Sequence, residues 1–273
     1  AADAIATRTP LITPSYLSPE IAAMDQAAKD AGIPILNELG LDPGIDHLSA
    51  MQVIDELRSE GAQLTGFESY TGGLVAPESD NNPWHYKFTW NPRNVVLAGQ
   101  GGSATFRMGG LNRVLPPHRL FQEVTPIDVP GAGRFEGYAN RDSLAYEQIY
   151  GLQGIETLVR GTLRGDGFGG GWDALFQLGR NRDDAQLSLP EGTSWRTFTA
   201  GFAGGVGKDA DGAQVRDAVA TATGADKAAL DLLDWLGLFG DDVVVPTQGS
   251  PCDILQHRLE GKWALAPEDL DMI

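Results

Sequence analysis

The stretch Ile33-Pro34-Ile35-Leu36-Asn37-Glu38-Leu39-Gly40-Leu41-Asp42-Pro43-Gly44-Ile45-Asp46-His47 decides the fold. Ile33 to Leu36 is an apolar run of strand length that opens into polar Asn37-Glu38. Leu41 to Gly44 reads as a turn, and Asp46 is placed to cap a helix. Leu48, Met51, Ile54 and Leu57 follow at helical spacing, and Gly61 closes the segment. Working upstream, Ser18-Pro19-Glu20 is a helix start, with Ser as cap and Pro at the first position. Ile21, Met24, Ala28 and Ala31 predict one helix that Gly32 ends, and the run before Tyr16 predicts a strand. Downstream, Leu64 to Tyr70 predicts a third strand. The order β-α-β-α-β is that of a parallel sheet with crossover helices.

After Gly72-Gly73 the pattern changes. A hairpin is expected around Gly109-Gly110, followed by strands at 133–139 and 156–165 and short helices at about 143–150 and 171–179. This is a mixed or antiparallel sheet. From about residue 210 the chain turns helical, ending in a helix capped by Ser250 with Pro251 at its first position. Seams are expected near 72–77 and 190–210. The fold class is α/β, in the α+β sense of a parallel piece followed by a mixed sheet.

Composition narrows the function. The 273 residues carry 20 Lys+Arg against 37 Asp+Glu, a net charge of −17. Such acidity disfavours nucleic acid and anionic membranes as partners. A few local arginines can still bind a small anion. No run approaches the roughly 18 apolar residues of a membrane span. The first ten residues lack the basic and apolar regions of a signal peptide, so a cytoplasmic protein is expected. The single Cys252 forms no internal disulfide and reads as a helix residue rather than a nucleophile. The four His show no metal-ligand spacing, so no metal is expected.

Several segments suit a binding site. Asp42 to His47 lies between a strand and a helix, where open α/β sheets bind ligands, although Asp42 and Asp46 also suit plain turn and cap roles. Ser69-Tyr70-Thr71-Gly72-Gly73 sits at the end of the third strand, where glycines permit close approach. In the segment Pro77 to Phe88, Asn82 can hydrogen-bond a substrate and Lys87 can bind a carboxylate, unless the loop is simply exposed. Arg141 can fork a carboxylate, or pair with a surface acid. Gly165 to Gly171 lacks the lysine of a phosphate loop and reads as a flexible turn. No G-x-G-x-x-G run lies near the N-terminus. Trp84, Tyr86, Phe88 and Trp90 alternate as on one face of a strand.

The residues also carry a resemblance. Asn37 to His47 resembles the signature of the saccharopine dehydrogenase family of the NADP-dependent, L-glutamate-forming type. Tyr70 to Gly73, Ala76 to Glu78, Asn82-Pro83, Tyr86 to Arg93, Gly137 to Ser143 and Arg160 to Arg164 resemble later family stretches in order. The match covers about residues 10–180 well and the helical tail loosely.

The resemblance implies a partial Rossmann β-α-β piece at residues 1–72. A mixed-sheet substrate-binding and dimerisation domain follows at 73–190, then a small helical subdomain at 191–273. It also implies that the nucleotide-binding half, with its glycine-rich loop, lies outside this chain. NADP would then serve the full-length enzyme and not bind this part tightly. The implied reaction interconverts saccharopine with glutamate and aminoadipate semialdehyde in lysine metabolism. Tyr16 and Arg141 match substrate-binding residues, with Asn82 and Lys87 as weaker matches. Asp42 matches a residue for proton transfer or amine positioning. Thr71 stands where some members have Cys, and a hydroxyl is a poor acid or base at neutral pH. Gly44 is a candidate cofactor contact. A homodimer is implied. The alternatives are a carboxynorspermidine-type dehydrogenase of the same superfamily and a non-catalytic binding or dimerisation domain.

Overall fold

The computed structural model describes residues 1–266. The chain opens with α1 (Ala2–Thr7), β1 (Leu11–Ile12), α2 (Pro19–Ala22), α3 (Asp25–Ala31), β2 (Ile35–Leu36), α4 (Ile45–Ser59) and β3 (Gly66–Thr71). Then come α5 (Pro92–Val96), β4 (Ala104–Met108), β5 (Leu111–Leu115), β6 (Thr125–Val129), β7 (Gly133–Ala139), α6 (Tyr146–Ile149) and β8 (Thr157–Gly165). The remainder is α7 (Phe168–Gln177), β9 (Leu187–Ser188), α8 (Trp195–Ala203), α9 (Gly212–Thr223), α10 (Lys227–Trp235), β10 (Gln248–Gly249) and α11 (Pro251–Lys262).

Strands β1 and β2 pair in parallel across α2 and α3, which is a β-α-β unit. Ser18 caps α2 by accepting the Ile21 N–H, with Pro19 at the first position, and Gly32 closes α3 at φ 71°. The single helix expected over 19–31 is two helices, broken at Ala23-Met24. Asp46 is not the cap of α4. Gly44 holds that position at φ 150°, and Asp46 reaches back to accept the Gly44 N–H at 2.7 Å. A side chain at 44 would place its Cβ 2.1 Å from the Gly40 carbonyl oxygen, so the neck of this loop admits glycine alone.

The third strand leaves the expected parallel sheet. β3 pairs in parallel with β8, in a six-stranded sheet ordered β5-β4-β8-β7-β6 with β3 against the free edge of β8. β3 lies on the first side of the expected division at residue 72, while its partner β8 lies on the second. β3 and β7 both pair with Gly161 and Thr162, so they occupy opposite edges of β8. The hairpin β4–β5 turns through Gly109 and Gly110, both at positive φ, as the sequence predicts.

One sheet face packs Leu158 and Phe67 against Ile54 of α4 and Tyr150. The opposite face carries a smaller cluster of Phe106, Ala139 and Val159 with Tyr70. Tyr70 lies over glycines: a Cβ at Gly161 would meet its ring at 2.3 Å. The main core is helical and aromatic, with Trp84, Tyr86, Phe168, Trp172 and Trp263 in mutual ring contact. Trp84, Tyr86 and Phe88 therefore do pack inward, but from an irregular segment rather than a strand, and Trp90 is exposed.

The glycine-rich run is not a flexible turn. Phe168-Gly169-Gly170-Gly171 is the first turn of α7. A Cβ at Gly171 would lie 2.8 Å from the Trp84 ring, so the run lets α7 pack closely on the core. The Glu136 carboxylate accepts the N–H groups of Gly167 at 3.0 Å and Gly169 at 2.7 Å, at the positive end of the helix. At the other end of α7, the buried Arg180 guanidinium lies 4.0 Å over the Phe198 ring, and burial pushes its pKa down. Helix α11 has the expected Ser250 cap, in a capping box with Asp253. No helix among the described residues is long and apolar enough to cross a membrane.

Candidate functional site

Arg160 is the hub. It projects from β8, in register with Ser69 of β3, while Thr71 pairs with Thr162 two residues on. Side chains two apart on a strand share a face, so Ser69, Thr71, Arg160, Thr162 and Arg164 line one face of the sheet. The loop after β2 and the start of α4 cover that face at Arg160. The guanidinium donates to Asp46 and stands 3.6 Å from Asp42. It also lies 4.2 Å over the Tyr146 ring. Burial alone would lower the Arg160 pKa, but the surrounding phenols and Asp46 outweigh it and push it up.

Tyr16 follows β1 and donates its hydroxyl to Asp42 at 2.9 Å. Its phenol pKa is raised, first by burial and then by the Asp42 charge, so Tyr16 is a hydrogen-bond donor at neutral pH. Arg141 follows β7 and lies 5.1 Å over the Tyr16 ring. Its backbone is left-handed, at φ 49°, and its carbonyl accepts the Thr105 N–H at 2.8 Å. Arg141 is exposed, and no carboxylate of the described residues lies within ion-pair distance. A guanidinium without a partner, beside a phenol donor, can take a ligand carboxylate in a fork.

Next to this lies a pocket of about 340 Å³, lined among others by Glu38, Gly44, His47, Met51, Tyr146 and Tyr150. His47, in the first turn of α4, stacks on Tyr146 and holds Tyr150 Oη at 2.6 Å from its Nδ1. Glu38 accepts the Leu17 N–H and faces His47 Nε2 at 3.2 Å.

Of the residues singled out in the sequence, Tyr16, Asp42 and Arg141 are brought together. Thr71 lies farther along the same sheet face, and Gly44 forms the neck of the loop and a wall of the pocket. Asn82 is committed to its own loop: its amide donates to the Tyr86 carbonyl and its oxygen accepts the Trp84 N–H. Lys87 is buried rather than exposed in a loop, 3% accessible, beside core residues Tyr86 and Phe88. Asp142 starts the segment into α6 by accepting the N–H groups of Leu144 and Ala145. Asp46 and His47 lay in the candidate segment 42–47 without a role of their own, and Arg160, Glu38, Tyr146 and Tyr150 were not singled out as site residues. The signal for Arg160 was present, since Arg160, Thr162 and Arg164 alternate with glycine and leucine along β8. Among the described residues, no group of three or more His, Cys, Asp or Glu is placed to hold a metal ion.

Residues 40–273 match the saccharopine dehydrogenase C-terminal domain. The chain belongs to that family. It is 36% identical over 278 residues to the saccharopine dehydrogenase [NADP(+), L-glutamate-forming] of Pyricularia oryzae, covering 99% of this chain and 60% of that one. It is 35% identical over 272 residues to the mitochondrial alpha-aminoadipic semialdehyde synthase of the mouse, covering 98% of this chain and 29% of that one. The structure of apo histidine-tagged saccharopine dehydrogenase (L-Glu forming) from Saccharomyces cerevisiae superposes with a TM-score of 0.83 at 34% identity. That match covers 98% of this chain and 60% of the yeast chain. The saccharopine dehydrogenase fold therefore extends over nearly all of the present chain, which spans about three fifths of the fungal relatives.

Proposed function

We propose that this chain is the substrate-binding part of an NADP-dependent saccharopine dehydrogenase, interconverting saccharopine with L-glutamate and aminoadipate semialdehyde. The observation that carries the reading is Arg141, an exposed guanidinium with no carboxylate partner among the described residues, set against Tyr16 beside Asp42 and Arg160. Saccharopine carries three carboxylates flanking a secondary amine. Arg141 takes one carboxylate in a fork, and the Tyr16 hydroxyl and Asp42 carboxylate position the amine. Thr71 and Thr162 continue the polar sheet face along the extended substrate.

The residues present do not fit the phosphate end of NADP. The glycine-rich start of α7 has its Gly167 and Gly169 N–H groups on Glu136, which fills the seat that an anion would take. We place the phosphates of the cofactor outside the described residues. Gly44, in the wall of the pocket, is our candidate cofactor contact. The β1–β2 pair is two strands wide, with Ile12, Leu36, Leu39 and Leu41 exposed, as a fragment of a larger sheet would be. We assign it to a nucleotide-binding unit.

Residues 73–190 serve substrate binding and dimerisation, with β3 joining their sheet, and residues 191–266 form a helical subdomain, the last seven of the expected 191–273 lying outside the described residues. We propose a homodimer through the mixed sheet, whose edge strand β5 exposes Leu111 and Val114. A cytoplasmic location completes the proposal, although the mouse relative is named mitochondrial. The test is NADPH formation, read at 340 nm, from saccharopine and NADP by the longer enzyme carrying this chain. Saccharopine-dependent NADPH that Arg141→Ala abolishes supports the reading. Turnover of a carboxynorspermidine-type substrate instead would replace it.

A further inference from the structure

Three proton-carrying groups stand in line at the pocket, outside the carboxylate site described above. Tyr150 Oη lies 2.6 Å from His47 Nδ1, and His47 Nε2 lies 3.2 Å from Glu38 Oε2. The three come from separate elements: Tyr150 follows α6, His47 is in the first turn of α4, and Glu38 follows β2 at a left-handed φ of 59°. A left-handed backbone is uncommon for a residue other than glycine. The imidazole ring is fixed by stacking on Tyr146, at 5.5 Å and 25°. All three side chains line the same pocket wall.

The protonation pattern follows from the partners. Burial raises the Tyr150 pKa, so its hydroxyl keeps its proton and donates. His47 Nδ1 then accepts, and its proton sits on Nε2, facing Glu38. Nε2 and the carboxylate are within ion-pair distance but lack hydrogen-bond alignment, and Nε2 is otherwise unpartnered. A small rotation of the Glu38 side chain closes that gap, as unliganded sites commonly require. Glu38 is the outer member, 28% exposed at its side chain, against 17% for His47. The other charged or titratable groups around His47 are Asp46, 4.0 Å from Nδ1, and Tyr146, on which Arg160 also rests.

We propose that Tyr150, His47 and Glu38 form a proton relay between the pocket and solvent. The proposal rests on the reaction proposed above. Oxidising a secondary amine by hydride transfer to a nicotinamide and hydrolysing the imine liberates a proton, which must leave a partly closed site. In the relay, the Tyr150 O–H bond breaks as an Nδ1–H bond forms. The Nε2–H bond breaks as a Glu38 O–H bond forms. Tyr150 takes a replacement proton from the substrate amine, which Tyr16 and Asp42 hold beside the pocket. One proton has then moved from the pocket to Glu38, with no change of oxidation state in the protein.

The test has two arms. In the longer enzyme with NADP and saccharopine, Tyr150→Phe and His47→Ala should each lower kcat by about tenfold to a hundredfold, the scale of a lost proton-transfer group, with KM nearly unchanged. Added imidazole should restore kcat in His47→Ala and not in Tyr150→Phe. Unchanged kcat in both variants, or a loss in His47→Ala that imidazole does not repair, overturns the relay. If saccharopine is not turned over, the proposed reaction fails, and the geometry is judged separately. Nitrogen-15 NMR of this chain should then show His47 with Nδ1 unprotonated and Nε2 protonated, with the Nδ1 signal moving in Tyr150→Phe. A proton on Nδ1, or no response to Tyr150→Phe, overturns the relay there too.

Discussion

Replacing Arg160 by Met removes the cation that holds the loop after β2 to the sheet. Asp46 is the residue that suffers, since its side chain is 3% exposed and Arg160 is its charge partner. One Asp46 oxygen keeps the Gly44 N–H at 2.7 Å, and the other is left buried and unpaired. Breaking a buried ion pair from one side costs about 3–5 kcal/mol. Arg160 is itself 12% exposed, so water can reach part of the vacated space, and the lower end, about 3 kcal/mol, applies. For a chain of this size that lowers the melting temperature by roughly 5 °C. Thermal unfolding followed by circular dichroism measures it. The double variant Arg160→Met with Asp46→Asn should recover at least about half of the loss, because a neutral amide needs no counter-charge and its oxygen still accepts the Gly44 N–H. A loss under about 1 kcal/mol in the single variant, or a double variant no more stable than the single, would refute the reasoning.

Gly44→Ala should collapse the Asp42 loop, because its Cβ would overlap the Gly40 backbone; the readout is loss of amide exchange protection at the start of α4. Glu136→Ala should destabilise the start of α7 by about 1–2 kcal/mol, the cost of a lost helix cap, measured by urea unfolding. Burial pushes the Cys252 thiol up to about 11, so iodoacetamide should leave it unmodified in the folded chain and label it only in denaturant. The Ser250 hydroxyl and N–H, with help from Arg93, hold Asp253 below the usual carboxylate range. Its contribution is therefore present above the ordinary Asp value of about 3.9 and lost as pH falls through the folded value. Below pH 4 the wild type should lose stability more steeply than Asp253→Asn.

Local chemistry was legible in the sequence, and pairing at a distance was not. The Ser18-Pro19 start, the Gly32 stop, the Gly109-Gly110 hairpin and the Ser250 cap are each decided by a few adjacent residues, and each stands where the sequence puts it. Asp46 had a valid local role as a cap, but Arg160, 114 residues away, claims its carboxylate. β3 has the pattern of a parallel strand and is one, yet its partner is β8 rather than β2. The run at Gly165 to Gly171 looked like a turn because glycine disfavours helices. Close packing against Trp84 and the Glu136 carboxylate override that preference. In the site, Tyr16, Asp42 and Arg141 were legible because they lie in recognisable motifs. Glu38 and Tyr150 were not, and His47 was legible only as part of the 42–47 segment, since their line exists only after α4 and α6 meet. Asn82 looked available to a ligand, but a side-chain amide so close to its own loop backbone is readily consumed by it.

The most direct measurement is calorimetric titration of this chain with saccharopine, for the wild type and Arg141→Ala. Heat of binding in the wild type that disappears in the variant is the expected result, because the guanidinium proposed to take the carboxylate lies wholly within this chain. A folded wild type that gives no heat, or a variant that binds as the wild type does, would contradict the placement of the substrate site at Arg141.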